Sequence, residues 1–175
     1  PAPLDDLADP NHPPTPAKAA WYLVGLQELL LHMDPLAFLA LMGLIVAGIV
    51  LVPIWDRREE TVGVYFRSPV GRRAALMGAG LSVYAVPLLV AVDEYWLNLP
   101  AMLPGLPTLV SNGAIPLAAT LAGLAGVYAL PRRLLKADHS EALVGLFSFL
   151  MGSLVMLTII GNLFRGEAMV LGLPF

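Results

Sequence analysis

Four stretches of this chain, residues 36–54, 74–92, 106–130 and 142–164, contain no Asp, Glu, Lys or Arg. About 20 apolar residues in a helix cross the roughly 30 Å of hydrocarbon in a bilayer, so each run is long enough to span. The runs are continuous rather than alternating, which selects helices over β-barrel strands. Composition agrees: 13% of the 175 residues are charged and 58% hydrophobic. A soluble domain carries about 25% charged residues, and a compact soluble fold of this length could not coat its surface with so few. The expected fold is all-α and integral to the membrane, with four transmembrane helices and a short interfacial helix before the first. The expected order is an outer Pro-rich loop at 1–20, the interfacial helix at 21–32, the four-helix domain at 33–164 and an outer tail at 165–175. Pro87 and Pro116 fall inside the runs and predict kinks that neighbouring helices accommodate.

What is missing narrows the chemistry. The chain has no cysteine, which removes disulfides, thiolate zinc sites, cysteine-ligated iron–sulfur clusters and a cysteine nucleophile. Its histidines, His12, His32 and His139, lie in loops or at interfaces, so no span offers an axial ligand to a haem. The uncharged spans provide no carboxylate relay and no charged transport route, which disfavours a small transporter. A net charge of −3 without a basic, aromatic-interleaved cluster argues against nucleic acid as a partner. No metal site is expected, and any chemistry belongs at the membrane surface or is shared with another chain.

The loops set an orientation. Arg57, Arg58, Arg67, Arg72 and Arg73 lie between the first two runs, and Arg132, Arg133 and Lys136 between the last two; the other side has Lys18 and Arg165. The positive-inside rule places the basic loops in the cytoplasm and both termini outside, with a bacterial inner membrane as the expected location. The chain starts at Pro1 without a Met or an apolar signal segment, which points to an upstream piece. Ala122 with Gly126, and Ser148 with Gly152, have the small-residue spacing that lets helices approach closely or dock partner subunits.

Polar groups gather at the edges. Residues 21–32 form an amphipathic segment with Trp21 and Tyr22 as an aromatic anchor. Helical spacing puts Val24 and Glu28 on one face, so Glu28 either looks into apolar surroundings or sits on the surface of an interfacial helix. Burial would raise its pKa and make it a proton acceptor near neutral pH. Asp93-Glu94-Tyr95-Trp96 closes the second span; it reads first as a headgroup-level cap, and second as the lining of a proton exit. Trp55-Asp56-Arg57-Arg58-Glu59-Glu60 reads as a solvated, self-paired loop.

In order, Ala2-Pro3-Leu4, Ala8-Asp9-Pro10, Ala19-Ala20-Trp21-Tyr22, Leu51-Val52-Pro53-Ile54-Trp55-Asp56-Arg57 and Phe66-Arg67-Ser68-Pro69-Val70 resemble the C-terminal half of cytochrome b. This is the split form found in cytochrome bc-type quinol oxidoreductases, and the resemblance covers roughly residues 1–130. It implies a haem-free subunit that forms one wall of an outer-side quinol-oxidation site. Haem b and a Rieske iron–sulfur cluster would then sit in partner subunits: a haem-bearing N-terminal cytochrome b, a Rieske protein and a cytochrome c. Carried over, Trp21 and Tyr22 border the pocket; the candidate quinol-binding set is Trp21, Tyr22, Gln27 and Glu28, with Glu28 the candidate catalytic residue. Two features depart from the family. Ala20 stands where the family motif has a glutamate, for which Glu28 is the candidate substitute. A fourth span exceeds the expected three and reads as an added docking helix, with Arg165 and Glu167 meeting a partner. The competing expectation is a non-catalytic anchor for extracytoplasmic redox subunits.

Overall fold

The computed structural model describes residues 18–56, 68–166 and 169–172. Its helices are α1 (Val24–Leu31), α2 (Pro35–Trp55), α3 (Pro69–Tyr95), a short α4 (Leu99–Met102), α5 (Ile115–Leu134) and α6 (His139–Ile159). Two π-helical turns, Leu109–Ala114 and Ile160–Phe164, lead into α5 and follow α6. Four helices, α2, α3, and α5 and α6 with their π turns, are long and apolar enough to cross a membrane. The chain is therefore an all-α integral membrane protein. Residues 1–17 of the expected Pro-rich loop at 1–20, and Arg57, Arg58, Phe66 and Arg67 of the first basic loop, lie outside the described residues.

Local sequence sets the helix starts. Asp34 caps α2 by accepting from the Leu36 amide at 2.9 Å, with Pro35 at the first helical position. Ser68 caps α3 through the amides of Val70 and Gly71, again followed by a proline. Both place a proline where its missing N–H is not needed and its fixed φ already suits the helix. α6 opens on a reciprocal box: Glu141 N–H donates to Asp138 Oδ1 and Asp138 N–H to Glu141 Oε2, both at 2.9 Å. α3 extends past the uncharged run at both ends and takes in Arg72, Arg73, Asp93 and Glu94, because charged side chains at helix ends reach the headgroup level. Pro87 lies within α3. Pro116 lies inside the third span, in the first α-helical turn after the π turn Leu109–Ala114.

α3 and α6 form the central pair. A Cβ added at Gly78 would collide with the carbonyl of Gly145, and one at Gly152 with the Ser82 side chain. Ala74 and Ser82, on the same α3 face, are fully buried. Apolar side chains gain little from leaving lipid for one another, so close backbone contact through small residues holds such pairs. Gly152 is used this way, whereas Ser148 bonds back to the Val144 carbonyl of its own helix. Ala122 and Gly126 are both exposed, and a Cβ at Gly126 would meet nothing within 4 Å, so that pair is not an interface within the chain. α2 is peripheral: Ala37 and Leu41 are its buried residues, packed with Met33 against Leu117 and Leu124 of α5.

The four spans alternate in direction. The ends of α3 and α6 and the starts of α2 and α5 meet at one end of the bundle, here called the acidic end. The basic end carries exposed Arg72, Arg73, Arg132, Arg133 and Lys136. Beneath the acidic end, Val86 and Val90 of α3 pack on Leu157 and Ile160 of the last span, with Leu29 of α1 and Phe164 around them.

Candidate functional site

α1 lies across the acidic end because small residues admit it. A Cβ at Gly25 would collide with the Thr158 hydroxyl, and one at Gly161 would come within 3.2 Å of Val24. This seats Val24 and Glu28 against the last span, both fully buried, as their shared helix face requires.

The π turn after α6 delivers Arg165, which is 4% exposed, to the buried Glu28 carboxylate. Arg165 Nη2 donates to Glu28 Oε1 at 2.7 Å, while Nε lies 2.9 Å from Oε2 and 3.1 Å from Oε1. Its Nη1 donates to Glu94 Oε2 and to the Met169 carbonyl, each at 2.9 Å. Such forked, charge-assisted bonding is what a guanidinium needs to stay charged away from water. Met169 reaches this position with a positive φ of 58°, and an antiparallel bridge between Arg165 and Leu171 closes the fold-back. Lys18 Nζ secures the other side by donating to the carbonyls of Asn162 (2.9 Å) and Arg165 (3.0 Å).

His32, one turn after Glu28, extends the cluster. Its Nε2 lies 3.3 Å from Glu28 Oε1 and its Nδ1 2.6 Å from Asp93 Oδ2. As imidazolium it donates to both carboxylates. Burial alone would push His32 down, but bonding to Glu28 and Asp93 outweighs it and holds the ring above its ordinary value. Burial pushes Glu28 up, yet hydrogen bonds from His32 and Arg165 and the charges behind them hold it below its ordinary value. Glu28 is thus kept as a carboxylate, which reverses the expectation that burial would raise it towards neutrality. Burial opposes the charge of Arg165 as well, and Glu28 and Glu94 keep its pKa above the usual guanidinium value.

Beside this cluster opens a cavity of about 390 Å³ whose wall includes His32, Asp93, Glu94, Tyr95, Trp96 and Asn112. The other sequence-predicted residues lie elsewhere. Trp21 and Tyr22 are 71% and 64% exposed and pack edge to face with ring centroids 5.7 Å apart. Gln27 Oε1 accepts from the Ala19 amide at 2.7 Å. Trp21, Tyr22, Gln27 and Glu28 do not line the cavity. Arg165, expected to meet a partner, turns inward; Glu167 lies outside the described residues. Sequence reasoning left His32 and Arg165 out of the site. The available signals were a histidine four residues after Glu28 and a lone arginine directly after an apolar span. No cluster of metal-ligating side chains occurs among the described residues.

No protein-family model, curated protein or solved structure matches this chain, so the likeness to cytochrome b rests on the sequence features themselves.

Proposed function

We propose that this chain is a haem-free membrane subunit of a quinol:cytochrome c-type oxidoreductase in a bacterial inner membrane, with its acidic end outside. There it supplies one wall of the quinol-oxidation site. The observation that supports this reading is the cavity at the acidic end. It lies at the end of α3 beside the start of the third span, and Tyr95 and Trp96 offer flat apolar surface beside the polar His32, Asp93 and Asn112. A ring carrying two hydroxyls and a lipid tail needs that combination. Trp21 and Tyr22, exposed beside α1 and away from this cavity, are surface that a partner chain would cover, and Glu28 holds the charged groups behind the wall. Haem b, the Rieske cluster and cytochrome c belong to the partners, which take up the electrons.

The test is a reduced-minus-oxidised spectrum of the complex purified natively through this chain, followed by quinol turnover with a site inhibitor. A b-type haem signal and inhibitor-sensitive turnover are expected; an intact complex without haem overturns the reading. Ala20 at the motif-glutamate position and the outward-facing Trp21 and Tyr22 favour a second reading, a non-catalytic anchor for extracytoplasmic redox subunits. In that case the complex carries haem but no quinone beside Tyr95.

A further inference from the structure

We infer that Asp93 is the group that takes the proton from a quinol hydroxyl in the cavity, with His32 as its positioning residue; this rests on the function proposed above. Among the described residues four carboxylates stand at the acidic end, and their bonding separates them. Asp34 caps α2 and is absent from the cavity wall. Glu28 is fully buried, engaged by Arg165 and His32, and absent from the cavity wall. Glu94 lines the cavity, but its Oε2 is fixed on a guanidinium that stays charged at any working pH. Asp93 lines the cavity, is about one-third exposed, and is bonded through Oδ2 to an imidazole. Among the described residues its Oδ1 takes no protein hydrogen bond. It is therefore the cavity carboxylate whose partner can itself gain or lose a proton.

The step is a simple transfer. The quinol O–H bond breaks with its electron pair left on oxygen, and the proton bonds to Asp93 Oδ1, giving a quinolate anion and a neutral carboxylic acid. The acid then releases the proton to outer water through its exposed side. His32 holds Asp93 Oδ2 from behind and is open to an incoming proton only while uncharged. The groups facing His32 are Glu28 on its own helix, Asp93 and the adjacent Glu94 at the end of α3, and Arg165 behind Glu28. The π turn before α5 contributes only Asn112, which does not titrate.

The experiment uses the native complex, with assembly read from its b-haem spectrum and turnover measured with a short-chain quinol across pH. A positioned acid or base contributes about 100-fold or more to a rate. Asp93→Asn should lower kcat by about that factor with KM little changed, and Asp93→Glu should recover part of the loss. His32→Gln should flatten the rising limb of the kcat–pH profile, which lies above the ordinary imidazole value of 6.5. Inhibitor-sensitive turnover that is unchanged in Asp93→Asn overturns the inference alone. So does an equal loss in Asp93→Asn and Asp93→Glu, which marks Asp93 as a fold element. An unaltered rising limb in His32→Gln removes the positioning role. Wild-type complex without quinol turnover overturns the proposed function, and this inference with it.

Discussion

The two ends of the bundle handle charge in opposite ways. At the acidic end, Glu28, His32, Asp93, Glu94 and Arg165 converge from α1, α3 and the segment after α6, and the Glu28–Arg165 ion pair is withdrawn from water. At the basic end the arginines and Lys136 stay exposed, and the polar contacts close helix ends. Ser140 Oγ donates to Asp56 at 2.5 Å, Ser68 donates to Glu141, and Tyr128 meets His139 at 2.7 Å, with Arg132 3.1 Å from the same hydroxyl. Solvated charges and caps contribute little each and fail gradually. A desolvated ion pair is tied to its partners and fails abruptly when one is removed. The lesson is that the number of charged residues does not set how an end behaves; burial decides which end is fragile.

The comparison can be broken most forcefully at Arg165. Arg165→Met should cost about 3–5 kcal/mol, because it leaves the Glu28 charge buried without its main partner. Adding Glu28→Leu should recover most of the loss, read as the thermal midpoint of the complex in detergent. A single variant as stable as wild type would make the acidic end no different from the basic one. Removing the basic-end cap with Asp138→Ala should cost only about 1 kcal/mol in the same assay, and a loss as large as that of Arg165→Met would erase the contrast.

The smallest effect is pH dependence. Glu28 is held below its ordinary value of 4.5, so its contribution to stability is complete above that pH and is lost as pH falls through the depressed value. His32 is held above 6.5, so its contribution is complete below that pH and is lost as pH rises through the raised value. Stability from the cluster should therefore be greatest between about 4.5 and 6.5 and decline on both sides. Asp138→Ala should keep this profile and Arg165→Met should lose its acid limb. A flat wild-type profile would contradict the ion cluster.

Much of the fold was legible in the sequence, because an uncharged run of membrane-spanning length leaves few alternatives. That Glu28 shares a helix face with Val24 was legible too, but not that this face is buried rather than exposed. Nor was the charge state of Glu28. The deciding partner, Arg165, stands 137 residues further along, and no local pattern announces a pairing at that distance. The choice among small residues was equally hidden: Gly78, Gly145 and Gly152 meet across the central pair while Gly126 faces outward. Spacing identifies a face capable of close approach but not what it approaches. The cavity escaped notice because it joins the end of α3, α4 and the π turn before α5, and the turn's extra residue carries no mark in its composition.

The separation of Glu28 from Arg165 also orders events during synthesis. A ribosome adding about 5–20 residues per second needs roughly 7–27 s to pass from Glu28 to Arg165, 137 residues apart. Throughout that interval the first three spans can insert and α1 can lie on the membrane surface, but Glu28 has no guanidinium to receive it. The acidic end can therefore close only after the fourth span has emerged. A chain stalled or cut before that point would display an unpaired acid at the membrane surface. The ion pair is thus among the last contacts of the fold to form, and it separates a finished chain from an unfinished one.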